Sequence, residues 1–249
     1  MKLAKRLGGE SGPLLVMLHG LGATGGVWAS VAKIAEAQWT GRWAIFDLPG
    51  HGASDRMARY DNEDYAAALG PAIVEIASGD PIALLGHSLG GTVALTLASG
   101  AFGFAPISVH AIGIKVDWSD DELARFAELA QRDPRTFETE QEATAMHARY
   151  AGLSADAQPA LLENGARNAG GQWQAALDLG AFAVVPPDMP RLVADAQCPV
   201  HLACGAEDPM ISVERLHNFD PNAVEFSGCG HNAMVDDPAS VWAWFAGRQ

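Results

Sequence analysis

Apolar residues gather into six short runs along the chain: LLVML (14–18), WAIFD (43–47), IALLG (82–86), SVHAIGI (108–114), PVHLAC (199–204) and AVEFS (223–227). The runs are rich in branched aliphatics and do not alternate strictly with polar residues, which is how strands buried on both faces read. Stretches with helical spacing follow several of them, over 27–39, 62–78, 89–100 and 237–247. This alternation predicts an α/β protein, with a mostly parallel central sheet flanked by helices on both faces. Gly70–Pro71 falls inside the second helical pattern and predicts a kink or a split into two short helices.

The alternation stops near residue 117. From Trp118 to about Pro187 no buried strand is evident, and the pattern turns helical. Ser119 with Glu122 reads as a capping box that opens a helix running through Gln131. Pro134 breaks it. A second helix is expected over about 136–150, with Gly152 as its C-terminal cap. Ser154 caps a third through about Asn168, and 172–184 reads as a fourth before Pro186–Pro187 closes the region. The expected organisation is a core of residues 1–116 and 188–249 interrupted by an inserted helical lid, 117–187.

Composition narrows the function classes. The chain has 249 residues, 49% hydrophobic and 18% charged, enough for one large α/β domain or a core with an inserted subdomain. A net charge of −14 argues against nucleic acid and anionic membrane surfaces as partners, since both need a basic face. Cys198, Cys204 and Cys229 are few, odd in number and set among apolar residues, which predicts buried thiols in a reducing compartment. MKLAKRLGGESG carries basic residues with no apolar stretch after them, so no signal peptide is read, and no run of 18 apolar residues exists. The expected location is the cytoplasm. Neither the cysteines nor the eight histidines show metal-site spacing, so no metal is expected.

The candidate chemistry lies in GHSLGG (86–91), at the junction of a predicted strand and a predicted helix. The pentapeptide alone is a weak signal; its setting is that of a nucleophile elbow, a sharp turn that exposes Ser88. Side chains at positions 86 and 90 would collide with neighbouring strand and helix, and the serine itself is expected at positive φ. Leu89 opens the helix, so its N–H lacks an intrahelical acceptor and can bind a developing oxyanion. A serine hydroxyl needs a base, and the base needs an acid. His231, in the glycine-rich loop after the last strand run, is the best base. Asp208, on the loop after the 199–204 run, is the best acid, and Asp117 is its rival. Glu207 is expected to be exposed. His87 is expected to line or support the site. His110 and His201 are expected to be buried and hydrogen-bonded, and His147 and His217 to be surface groups.

The order Ser88, Asp208, His231 is that of one hydrolase architecture. Together with LHGLGA (18–23), DLPGHGAS (47–54), GHSLGG, GAEDP (205–209) and GCGH (228–231), it makes the chain resemble a lid-bearing member of the α/β-hydrolase fold superfamily over its whole length outside the lid. The resemblance implies that Leu21 gives the second oxyanion N–H, with Gly22 a less favoured donor. It implies structural parts for His19, Asp47 and His51. Relatives that dehalogenate haloalkanes or open epoxides carry aspartate at the elbow; this chain has serine. The short segment before Pro13 implies that one or both of the family's first antiparallel strands are abbreviated.

Such an insertion normally roofs the site. Trp173, Phe182, Met146, Met210 and Met234 are the candidate substrate-binding residues, each competing with a plain core reading. Five lid arginines, Arg125, Arg132, Arg135, Arg149 and Arg167, are expected on a solvated face; one turned inward would favour a carboxylated substrate. The resulting expectation is a cofactor-independent serine esterase acting on small to medium esters, with a homodimer left open. C–C bond hydrolases, a menaquinone-pathway lyase, and slow-turnover ligand receptors of the same fold remain rival readings.

Overall fold

The computed structural model describes residues 1–154 and 157–248. In chain order the first part comprises β1 (Lys5–Gly8), β2 (Leu14–Leu18), α1 (Ala29–Gln38), β3 (Arg42–Phe46), α2 (Asn62–Ala77), β4 (Ile82–His87), α3 (Leu89–Leu97) and β5 (Ser108–Ile112). An insertion follows, with α4 (Asp120–Ala130), α5 (Glu140–Tyr150), β6 (Ala166–Ala169) and β7 (Gln172–Ala175). The chain then returns through α6 (Met189–Asp195), β8 (Val200–Gly205), α7 (Val213–Leu216), β9 (Val224–Phe226), α8 (Ala233–Asp236) and α9 (Pro238–Ala246).

Seven strands form one sheet in the order β1-β3-β2-β4-β5-β8-β9. Only β1 runs antiparallel to its neighbour; the other pairs are parallel. All six apolar runs are strands of this sheet. The edge strand β1 escapes the apolar pattern because KRLG alternates exposed with half-buried positions. The period of two sorts each central strand between two cores. Leu14, Val16 and Leu18 pack with α2 and α3 on one face, and Leu15 and Met17 pack with α1 and α9 on the other. Helix α2 runs unbroken through Pro71, so the expected split at Gly70–Pro71 does not occur.

The insertion is only partly as its pattern suggested. Capping boxes open both α4, at Ser119 and Glu122, and α5, at Thr139 and Glu142. Gly152 follows α5 at φ +65°, the left-handed conformation of a helix-ending glycine. The expected third and fourth helices do not form in the described residues. Residues 155 and 156 of the third lie outside them; Pro159–Leu162 makes one 3₁₀ turn, and β6 and β7 pair as an antiparallel hairpin. Gly170 and Gly171 both have positive φ at its tip, the geometry a tight two-residue hairpin loop needs. Leu179–Phe182 is a second 3₁₀ turn.

The insertion is tied to the core at the DLPGHGAS loop. Asp178 N–H bonds Gly50 O at 2.7 Å, Gly52 N–H bonds Ala176 O at 2.7 Å, and Tyr60 Oη–H bonds Asp178 Oδ2 at 2.7 Å. Asp47 is buried and accepts from Gly25 N–H, Ala53 N–H and Asn164 Nδ2–H. His147 is fully buried on α5, against the expectation of a surface group, because it shares a helical face with Ala143 and Ala151. The three cysteines are free thiols.

Candidate active site

Ser88 stands between β4 and α3 at φ 50°, ψ −116°, a conformation that L-residues avoid. The turn holds because its glycines admit no side chain. A Cβ on Gly86 would meet the carbonyl oxygen of Gly90, and one on Gly90 would meet the carbonyl oxygens of Leu18 and His19. Ser88 N–H is anchored on Ile112 O of β5 at 2.8 Å. Leu89 is the first residue of α3, so its N–H is among those with no acceptor inside the helix.

The loops after β8 and β9 bring the other two groups together. His231 Nδ1–H donates to Asp208 Oδ2 at 2.8 Å, and the Asp208 side chain is fully buried. Asp208 Oδ1 accepts Met210 N–H at 2.8 Å, which fixes the carboxylate plane. With Nδ1 carrying the proton, Nε2 is left as the basic nitrogen. Gly113, at φ +66° just past β5, lies where a Cβ would come within 3.4 Å of both Asp208 and His231. The rival acid Asp117 is exposed and engaged by Arg215, and Glu207 is exposed.

His87 holds the His231 loop. Its Nε2–H donates to His231 O at 2.9 Å, and the two rings are 4.6 Å apart. Burial, reinforced by His231, pushes its pKa well below the usual histidine range, so it stays neutral. His19 ties the loop that follows β2. Its Nδ1–H donates to Gly20 O at 2.8 Å and its Nε2 accepts Leu48 N–H at 2.9 Å; burial lowers its pKa to about 4. His51 donates Nδ1–H to Pro49 O and is lowered to about 3 by burial. His110 is buried as expected, but it packs on the rings of His201, Trp244 and Phe245, with neither nitrogen hydrogen-bonded to a described residue. His201 is only half-buried.

Two cavities meet at Ser88, and Leu21, Lys115 and Trp118 line both. The larger, about 210 Å³, also reaches His231, Asn232, Arg149 and Tyr150. The smaller, about 70 Å³, is walled by Leu89, Thr92, Tyr60, Ala181 and Val184. Of the candidate substrate-binding residues, Phe182 and Met210 line the larger cavity. Trp173, Met146 and Met234 line neither. Met234 is fully buried in the core beside α9, and Trp173 is bridged to Phe137 on the hairpin. These side chains follow packing demands of their own elements, which apolar spacing alone does not separate from ligand contact. Lys115 and Trp118 lie in an irregular stretch after β5 that carries no motif. Among the five lid arginines, only Arg149 lines a cavity at Ser88.

Fold and sequence together place the chain in a known class. Residues 15–244 match the model of the alpha/beta hydrolase family, and the chain belongs to that family. Among solved structures it is similar to an E-2-(acetamidomethylene)succinate hydrolase, with a TM-score of 0.81 and 22% identity, covering 98% of this chain and 94% of that one. Among curated proteins it is 42% identical over 88 residues to a pimeloyl-[acyl-carrier protein] methyl ester esterase of Chromobacterium violaceum, covering 33% of this chain and 30% of that protein. It is 38% identical over 93 residues to a magnesium-chelatase 30 kDa subunit of Rhodobacter capsulatus, covering 36% of this chain and 32% of that protein. The chain thus spans about a third of the length of these curated relatives. Among the described residues no helix is long and apolar enough to cross a membrane.

Proposed function

We propose that this chain is a serine hydrolase, of the carboxylesterase type, that cleaves small to medium carboxylic esters through an acyl-enzyme on Ser88. One observation carries the reading. A serine held at φ 50° between strand and helix opens on the same cavity as a histidine whose other nitrogen donates to a buried aspartate. Ser88 Oγ attacks the ester carbonyl while His231 Nε2 takes its proton. His231 then passes that proton to the leaving alkoxide, and Asp208 stabilises the imidazolium between the two steps. The N–H groups of Leu21 and Leu89 hold the tetrahedral oxyanion; loss of one such donor costs roughly 3–4 kcal/mol in transition-state stabilisation. Water, deprotonated by His231, releases the acyl group. Residues 117–187 act as a lid that keeps bulk water from the acyl-enzyme. The 42% identity over 88 residues to a pimeloyl-[acyl-carrier protein] methyl ester esterase supports an ester as substrate.

A second reading, C–C bond hydrolysis or elimination with the same three residues, draws support from Arg149 on the cavity wall. The deciding experiment is hydrolysis of p-nitrophenyl butyrate by wild type and Ser88→Ala. Turnover by wild type and its loss in a folded Ser88→Ala protein support the esterase; retained turnover in the variant removes it.

A further inference from the structure

The two cavities at Ser88 are chemically unequal, and the proton path assigns each to one half of the substrate. The leaving atom must receive its proton from His231, which lines only the larger cavity. The leaving group therefore departs into that lobe. Leu89, whose N–H is the proposed oxyanion donor, lines only the smaller lobe, to which the acyl group is assigned.

Charge distinguishes the lobes further. The chain has 30 acidic and 16 basic side chains, yet the wall of the larger lobe holds Arg149 and no aspartate or glutamate, whereas the smaller lobe holds Asp61; Lys115 borders both. Lys115 is already committed: its Nζ bonds Glu122 at 2.7 Å and sits 5.1 Å from the centre of the Trp118 ring. Arg149 has no carboxylate within ion-pair distance among the described residues. It is an exposed residue in the last turn of α5, so its charge stays hydrated until a ligand arrives. Phe126, Phe182, Tyr150 and Met210 are among the walls of the lobe it borders, and apolar walls reduce the screening of an ion pair formed there.

We infer that the larger lobe selects esters whose alcohol half carries a carboxylate, with Arg149 as the residue that recognises it. This rests on the proposed parts of Ser88 and His231. A guanidinium pairs with a carboxylate through two parallel N–H···O bonds. A single cation with no carboxylate partner among the described residues matches a monoanion better than a phosphate dianion. The acyl half is short and carries no acid, because the smaller lobe is only about 70 Å³ and is bordered by the Asp61 carboxylate.

The test compares phenyl propionate, 3-carboxyphenyl propionate, 3-phosphonooxyphenyl propionate and monophenyl succinate. The last carries its acid on the acyl half. For the wild type, kcat/KM is expected to be about 10-fold or more higher for the 3-carboxyphenyl ester than for the phenyl ester, as for one charge-assisted contact. The phosphorylated ester and the succinate show no comparable gain. Arg149→Gln brings the ratio close to one and Arg149→Lys leaves it intermediate, whereas Arg132→Gln on the solvated face keeps the wild-type ratio. Thermal unfolding checks that each variant is folded. A wild-type ratio near one, a ratio that survives Arg149→Gln, or a larger gain for the phosphorylated ester or the succinate overturns the inference while leaving the esterase reading intact. If the wild type hydrolyses none of these esters, the esterase reading is what fails. Calorimetric binding of 3-hydroxybenzoate against phenol then decides the lobe separately. Arg149-dependent preference for the acid supports the inference, and equal binding overturns it.

Discussion

His87 donates its Nε2–H to the main-chain carbonyl of His231 at 2.9 Å, so the residue before Ser88 holds the loop that carries His231. The link joins the end of β4 to the loop after β9 across two intervening strands. It spends the one proton of a neutral ring, and burial keeps that ring neutral. His87→Ala removes the donor and leaves the carbonyl of His231 without it. A misplaced base costs rate more than binding. The expected outcome is a fall in kcat of about 10–100-fold with KM little changed, partly recovered in His87→Gln. Steady-state kinetics on both variants check it; an equal rise in KM with kcat intact would point to a binding part instead.

Charge-neutral substitution separates Asp208, the proposed acid, from its rival Asp117. Asp208 is buried against His231 Nδ1, whereas Asp117 is exposed and paired with Arg215. Asp208→Asn presents an amide to Nδ1 and favours the wrong tautomer of His231, which lowers kcat by on the order of 10⁴-fold. Asp117→Asn removes an exposed ion pair worth about 0–1 kcal/mol and leaves kcat within about twofold of wild type. Measured kcat values in the reverse order would move the acid to Asp117.

Acid should destabilise the fold through buried histidines. Burial holds His147 at about 4, His19 at about 4 and His51 at about 3, all below the 6.5 of an exposed ring. Above about pH 6.5 the rings are neutral both folded and unfolded, so they contribute no pH dependence. Below it the unfolded chain takes up protons that the folded chain refuses, and stability falls as pH drops toward 4. The full effect is on the order of 3 kcal/mol for a single such ring. His147 is the cleanest probe, because neither ring nitrogen has a hydrogen-bond partner among the described residues. His147→Leu is expected to lose less melting temperature between pH 7 and pH 5 than wild type. Thermal scans across that range test this; parallel losses would exclude His147 as a contributor.

The core was legible because the central strands β2, β4 and β5, buried at every position, had to be short apolar runs. Edge strand β1 was not, since KRLG buries little. In the insertion, helix starts were legible where a Ser119–Glu122 pair announced a cap, and the hairpin was missed although Gly170–Gly171 is a turn signal. Its flanks, RNA and QWQA, lack the β-branched residues that mark strands. At the candidate site, residues set by turn geometry, such as Ser88 and the glycines around it, could be read from spacing. Lys115 could not, and Arg149 could not be singled out from the other four arginines of the insertion. Lys115 lies on an irregular stretch, and the inward face of α5 depends on how the whole insertion docks on the loop around Gly50 and Gly52. The burial of His147 depends on the same docking, which helical spacing alone does not show.

The most direct test of the central claim is covalent labelling with a fluorophosphonate, mapped by mass spectrometry on intact and digested protein. The account predicts one adduct per chain, on the peptide that holds Ser88, absent in Ser88→Ala and slowed in His231→Ala. An adduct on another residue, or undiminished labelling of Ser88→Ala, would contradict it.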